Sequence, residues 1–141
     1  MGEIKHNFKE LKIWQKSRIL AKELFLLTRK FPKDERYELV SQMRRAAISI
    51  PSNIAEGAGR NSNREFRRFL DIALSSAYEL ETQLIISSDL GYVSEEEWFN
   101  INSLIEEIQK MIIGFRRSID KQIKSSNDYR KTKSKVLGLR S

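Results

Sequence analysis

Ser94-Glu95-Glu96-Glu97-Trp98-Phe99-Asn100-Ile101-Asn102-Ser103-Leu104-Ile105-Glu106-Glu107-Ile108-Gln109-Lys110-Met111-Ile112-Ile113-Gly114-Phe115-Arg116-Arg117-Ser118-Ile119 carries the clearest architectural signal in the chain. Trp98, Ile101, Ile105, Ile108, Ile112, Phe115 and Ile119 recur at alternating spacings of three and four, which puts them on one face of an α-helix. Ser94 and Glu97 fit a capping box, in which each side chain satisfies an orphan backbone amide of the other residue. A run of about 25 residues makes a rod roughly 38 Å long. The pattern predicts a bundle helix.

The same reading extends towards the N-terminus. Ser62-Asn63-Arg64-Glu65 repeats the capping signal, and Phe66, Phe69, Ala73, Ala77, Leu80 and Leu84 follow on one face, closed by Gly91. The small middle of this helix (Ala73, Ser76, Ala77) lets a neighbouring backbone come close. Before it, Leu39, Met43, Ala46, Ile50 and Ile54 predict a helix starting within residues 33–36. Pro51 should kink or break it, and Gly57 and Gly59 should end it. A first helix is expected from Phe8 to Lys30, with Ile13, Ser17, Leu20, Leu24, Leu27 and Phe31 inward and Pro32 as its stop. Short connections favour an all-α, antiparallel up-down-up-down four-helix bundle over residues 1–123. Residues 124–141 form a basic tail with almost no core residues, expected to be frayed or disordered.

Composition limits the chemistry. The chain has 141 residues, no cysteine and one histidine, His6, which removes disulfides, thiolate sites, Ser/His/Asp arrangements and paired Glu-x-x-His metal elements. Gly57-Ala58-Gly59-Arg60 lacks the strand and lysine of a phosphate loop. Paired acids such as Glu79 with Glu81 read as solvated charge. No catalytic residue, metal or cofactor is expected, and the protein is read as not an enzyme. No apolar run is long enough to span a bilayer, so a cytoplasmic protein without membrane contact is expected.

The formal net charge of +7 is unevenly spread. Residues 1–60 carry 13 Lys/Arg against 7 Asp/Glu, residues 61–114 carry 4 against 10, and residues 115–141 carry 9 against 2. The excess therefore sits in the tail, including Lys131, Lys133 and Lys135, which suits either a solubilising segment or a polyanion-binding one. Arg44, Arg45, Arg60, Arg64, Arg67 and Arg68 gather around one region of the chain. They are candidate phosphate contacts, because guanidinium presents a rigid fork of donors. An ion-paired, solvated face is the alternative. Ile19 and Leu26 on the first helix, and Leu74, Tyr78 and Ile85 on the third, are apolar beyond what the main stripes need. They suit a self-association surface or a wide core stripe. In Ser49-Ile50-Pro51-Ser52-Asn53-Ile54-Ala55-Glu56-Gly57, Asn53 is expected to bond the backbone freed by Pro51. Glu56 should pair with Arg60 or Arg67.

Leu11-Lys12-Ile13-Trp14-Gln15-Lys16, Phe31-Pro32-Lys33-Asp34-Glu35-Arg36-Tyr37, Ser41-Gln42-Met43-Arg44-Arg45-Ala46-Ala47, the Ser49–Gly57 block and Glu65-Phe66-Arg67-Arg68-Phe69-Leu70 occur in that order. Over about residues 8–120 this series resembles the bacterial four-helix-bundle family encoded by intervening sequences of 23S ribosomal RNA genes. Pro51, Asn53, Glu56 and Gly57 are the structural residues of its most specific motif. Ser75-Ser76 stands where the pattern usually has Gly-Ser. The resemblance implies a homo-oligomer, in known relatives a homopentamer, and no enzymatic activity. More distantly, the chain is similar to the accessory protein of diversity-generating retroelements, a basic pentamer that binds nucleic acid and a reverse transcriptase. The expectation is therefore a homo-oligomeric bundle binding RNA or DNA through basic patches. A protein-interaction scaffold or accessory subunit of a nucleic-acid enzyme such as a reverse transcriptase is the other reading.

Overall fold

Four helices account for most of residues 6–138, the part of the chain described by the structure, a computed structural model. They are α1 Lys12–Thr28, α2 Ser41–Ala58, α3 Asn63–Asp89 and α4 Glu95–Val136, and among the described residues there is no strand. Leu20, Leu24, Met43, Ile50, Ile54, Leu70, Leu80, Leu84, Ile105, Ile108, Ile112 and Ile119 are fully buried, so each predicted apolar stripe faces one common core. Contacts between neighbouring helices run in opposite directions. Arg44 of α2 meets Thr28 at the end of α1, Gly57 meets Phe66 at the start of α3, and Arg67 of α3 meets Asp120 of α4.

The helix boundaries depart from expectation where local chemistry intervenes. Leu11 is extended (φ −75°, ψ 126°), which splits the first segment into a 3-10 turn, Phe8–Glu10, and α1 proper. Lys33–Glu35 forms another 3-10 turn and Arg36–Val40 a π-helical turn before α2. α2 does not break at Pro51 and runs on to Ala58. Asn53 Nδ2 donates to the Ser49 carbonyl at 2.8 Å and to Ser49 Oγ at 2.9 Å, and Ser49 Oγ lies 2.8 Å from Ser76 Oγ of α3. Asn53 thus serves Ser49, not the Ala47 carbonyl that Pro51 leaves without its helical donor. The serine pair joins α2 to α3 beside the proline.

Gly57 does not terminate α2. It lies within the helix, where a Cβ would come within 2.7 Å of Phe69 Cβ and 2.9 Å of Phe66 Cδ1. The glycine exists to let α3 approach. Gly91, by contrast, is a true helix terminator: at φ +79° its amide donates to Ser88 and the Tyr92 amide donates to Ser87, a Schellman closure of α3.

The expected capping box forms in full at α4 and by half at α3, where the Glu65 carboxylate turns to Arg68 instead of the Ser62 amide. Ser62 Oγ accepts from the Glu65 amide, and Ser94 and Glu97 make the reciprocal capping box. Glu97 also accepts from Lys30 Nζ, in the turn just after α1, and this bond, with the Ser94 amide, holds the carboxyl below the usual glutamate range. A downward shift contributes stability that is complete above the ordinary glutamate pKa of about 4.3 and is lost as pH falls through the depressed value. Glu97→Gln keeps an oxygen for the cap but loses the charge. Its urea midpoint should therefore fall less than the wild type's on acidification from pH 5 to 3, a difference below about 1 kcal/mol for so exposed a pair.

The basic segment from Lys124 departs most from expectation. It continues α4 as helix to Val136, with residues 139–141 outside the described residues. No proline or glycine interrupts it before Gly138, and extending an existing helix avoids the nucleation cost. Asn63 at the start of α3 meets Gln122, and Arg64 meets Asn127, so the end of the bundle lies near residue 127. From Asp128 to Val136 α4 projects past the bundle by roughly 14 Å.

Candidate nucleic-acid interface

The six arginines do not form one cluster. α2 separates Arg44 from Arg60 by most of its length, about 24 Å along the axis. Arg44 is half-buried against α1: its Nε donates to Thr28 Oγ1 at 3.0 Å and its guanidinium sits 4.7 Å from the Phe25 ring centroid. That side chain anchors the C-terminus of α1. Arg45 is exposed at the same end and makes no ion pair among the described residues.

Arg60, Arg64, Arg67 and Arg68 share the opposite end, where α2 stops and α3 starts. Arg67 donates to Asp71 and to Asp120, each at 2.6 Å, and Asp71 also accepts from Arg116 at 2.9 Å. The bond to Asp120 is the main cause of a raised Arg67 pKa, with the charge of Asp71 adding to it. Two aspartates neutralise two arginines here, so Arg67 clamps α3 to α4 and leaves no net charge for a ligand.

Arg60 and Arg68 behave differently. Their guanidinium carbons lie 5.0 and 4.6 Å from the centroid of Phe69, so one buried ring positions both cations. Their carboxylate partners, Glu56 at 2.9 Å and Glu65 at 3.1 Å, are about half exposed and belong to the same helical turns. Such pairs are worth only about 0.3–0.5 kcal/mol and are easily exchanged for a phosphate. Glu56 meets Arg60 as expected, at the surface. Arg64 is exposed and, among the described residues, its side chain donates only to the neutral Asn127, at 3.3 Å.

Along α4, Arg117, Lys121, Lys124, Lys131 and Lys135 recur at multiples of three and four residues. This aligns them within about 40° to either side of a common line along the axis, exposed and about 27 Å long. Lys133 and Arg130 occupy other faces of the same helix and are exposed. Arg117 and Lys121 were not among the expected contacts. Continuing the helical spacing of Ile112–Ile119 into the basic segment would have found them.

Of the apolar residues assigned to self-association, Ile19 (53% exposed), Leu26 (42%), Tyr78 (46%) and Ile85 (45%) face outward. Leu74, at 6%, does not: it belongs to the protein's own core between α3 and α4. α1 and α3 each pack chiefly against α2 and α4, so the outward residues make two separate patches, not one. Ile72 and Ile86 of α3 and Leu90 just after it are exposed too, on a separate line roughly 100° around the axis from Tyr78 and Ile85. Among the described residues no group of three or more His, Cys, Asp or Glu side chains could hold a metal ion. No helix there is long and apolar enough to cross a membrane.

Helices, core and charge together define an all-α four-helix bundle with a cation-rich end. The chain belongs to the 23S rRNA-intervening sequence protein family, whose model matches residues 9–114. It is similar to a solved structure of a protein of unknown function from the S23 ribosomal protein family of Bacteroides thetaiotaomicron VPI-5482. That likeness has 27% identity and a TM-score of 0.68 and covers 74% of this chain and 95% of that one. No curated protein sequence matches the chain.

Proposed function

We propose that this protein is a non-enzymatic, self-associating bundle that binds nucleic-acid phosphates at the end where α3 begins. The observation that carries this reading is the placement of Arg60 and Arg68 on Phe69, with only exposed helical neighbours competing for their charge. Positioned guanidinium groups lose little freedom on meeting an anion, and their bidentate geometry matches phosphate. Arg64 stands beside them, and the cationic line of α4 continues the surface. Two distinct apolar patches on α1 and α3 suit a head-to-tail contact, which closes into a ring when the rotation allows, and a ring repeats the cationic end by symmetry.

Fluorescence anisotropy with a labelled oligonucleotide tests the site. Binding should weaken steeply with salt, and Arg60→Ala, Arg64→Ala and Arg68→Ala together should reduce affinity at least roughly tenfold while flattening the slope of log K against log salt by about 2–3. A wild-type response independent of salt, or a triple variant that binds as the wild type does, defeats the proposal. Light scattering on nuclease-treated protein checks the assembly, which should be larger than one 16.5 kDa chain.

A further inference from the structure

The projecting end of α4 is unusual among the surfaces of this molecule, because it is a helix on which none of the other described residues packs. From Lys124 to Leu137 every side chain is exposed or half-exposed, and past Asn127 no hydrogen bond or ion pair among the described residues joins a side chain of this segment to the bundle. Isolated helices this short are marginal in water. This one is held in shape only by its continuity with a buried helix and by the Gly138 turn (φ +71°) that caps it. Five cations, Lys124, Arg130, Lys131, Lys133 and Lys135, stand against one acid, Asp128. They are not confined to one side. Lys124, Lys131 and Lys135 share the outer line, whereas Arg130 and Lys133 fall on the side that faces the core further up the helix.

A cationic stripe on one side suits a single phosphate strand or a flat anionic surface. Charge on opposite sides of a free rod suits a groove with phosphates along both walls. We propose that the free part of this arm, Asp128–Leu137, inserts as a helix into the major groove of duplex DNA with Lys124 at the groove's mouth, an inference that rests on the nucleic-acid reading above and specifies its ligand. An α-helix with side chains is about 10–12 Å across. The B-form major groove is about 12 Å wide and 8.5 Å deep, whereas the A-form major groove of duplex RNA is deep and too narrow to admit it. Arg60, Arg64 and Arg68 stand at the base of the arm, placed to hold the flanking backbone while the arm enters. Lysine dominates the arm, so contacts to phosphate should outweigh readout of base edges, and little sequence preference is expected. The arm lies wholly outside residues 9–114 that match the family, so it is an addition to the shared bundle.

The test compares a 24-base-pair DNA duplex, an RNA duplex of the same sequence and the single DNA strand, using the full chain. Wild type should bind the DNA duplex at least roughly tenfold more tightly than the RNA duplex. Replacing Lys124, Arg130, Lys131, Lys133 and Lys135 with Gln, a residue that keeps helix propensity, should abolish that preference and lower the salt slope by about 4. Thr132→Pro keeps every charge but breaks the arm, and should lose the duplex-DNA preference while retaining most of the salt dependence. Equal binding of the two duplexes, or indifference to Thr132→Pro, overturns the arm proposal. If the Arg60/Arg64/Arg68 variant still loses binding in that case, the bundle-end reading stands without it. No binding by wild type to any of the three probes removes both.

Discussion

Gly57→Ala should destabilise the protein by about 1–3 kcal/mol, with a loss of roughly 3–10 °C in Tm, even though alanine is the better helix former. In an open helix interior the exchange gains about 0.5–1 kcal/mol. At Gly57 the new methyl would lie 2.7 Å from Phe69 Cβ and 2.9 Å from the Phe66 ring, so α3 must move or two buried aromatic side chains must leave their rotamers. Phe69 Cβ is fixed to the α3 backbone and cannot yield as the tip of a long side chain can. Gly114 supplies the control. A Cβ there meets nothing within 4 Å, so Gly114→Ala should stabilise by about 0.5–1 kcal/mol. Thermal melts of the two variants should shift in opposite directions. Equal shifts would mean that the α2–α3 approach is looser than the structure shows. Because Phe69 also carries Arg60 and Arg68, Gly57→Ala should weaken oligonucleotide binding along with stability.

Leu74→Ala should cost about 2–5 kcal/mol, while Ile85→Ala should change monomer stability by no more than about 0.5 kcal/mol. Both residues were assigned to one apolar surface of α3, yet Leu74 is 6% exposed and Ile85 45%. Truncating Leu74 leaves a cavity between α3 and α4, close to the Arg67–Asp71–Arg116 clamp that limits how far those helices can close up. Truncating Ile85 removes area only from the outside, so its effect should appear in the concentration dependence of light scattering. Urea titration measures the first effect. If Leu74→Ala leaves the midpoint unchanged and alters only assembly, the assignment of Leu74 to the core is wrong.

Much of the fold was legible beforehand. The stripe from Trp98 to Ile119, the caps at Ser62 and Ser94, and the stops at Pro32 and Gly91 all act within a turn or two of chain, and local signals of that range are visible in residue order. Glu56 pairing with Arg60 was legible for the same reason, since four residues separate them on one helix. The candidate site was read less well. Six arginines near one another in the chain became two groups, because α2 carries Arg44 and Arg60 to opposite ends of a rod. The basic tail was expected to be frayed or disordered from its lack of core residues, but a helix that enters it already formed needs no new nucleus.

Residue order therefore settled which segments coil and which flank of each is apolar, because helix periodicity and capping depend on neighbours three or four positions away. It did not settle which cations keep a charge to offer. Arg67 is neutralised by Asp120, 53 positions further along, and Arg44 is consumed by Phe25 and Thr28 of another helix, while Arg60 and Arg68 are set on a ring that only the α2–α3 contact at Gly57 brings into place. Arg44 keeps its charge but is held half-buried by neutral partners, whereas Arg67 is paired out; both outcomes follow from how the rods pack, and packing is a property of the assembled core, not of any one stretch of chain.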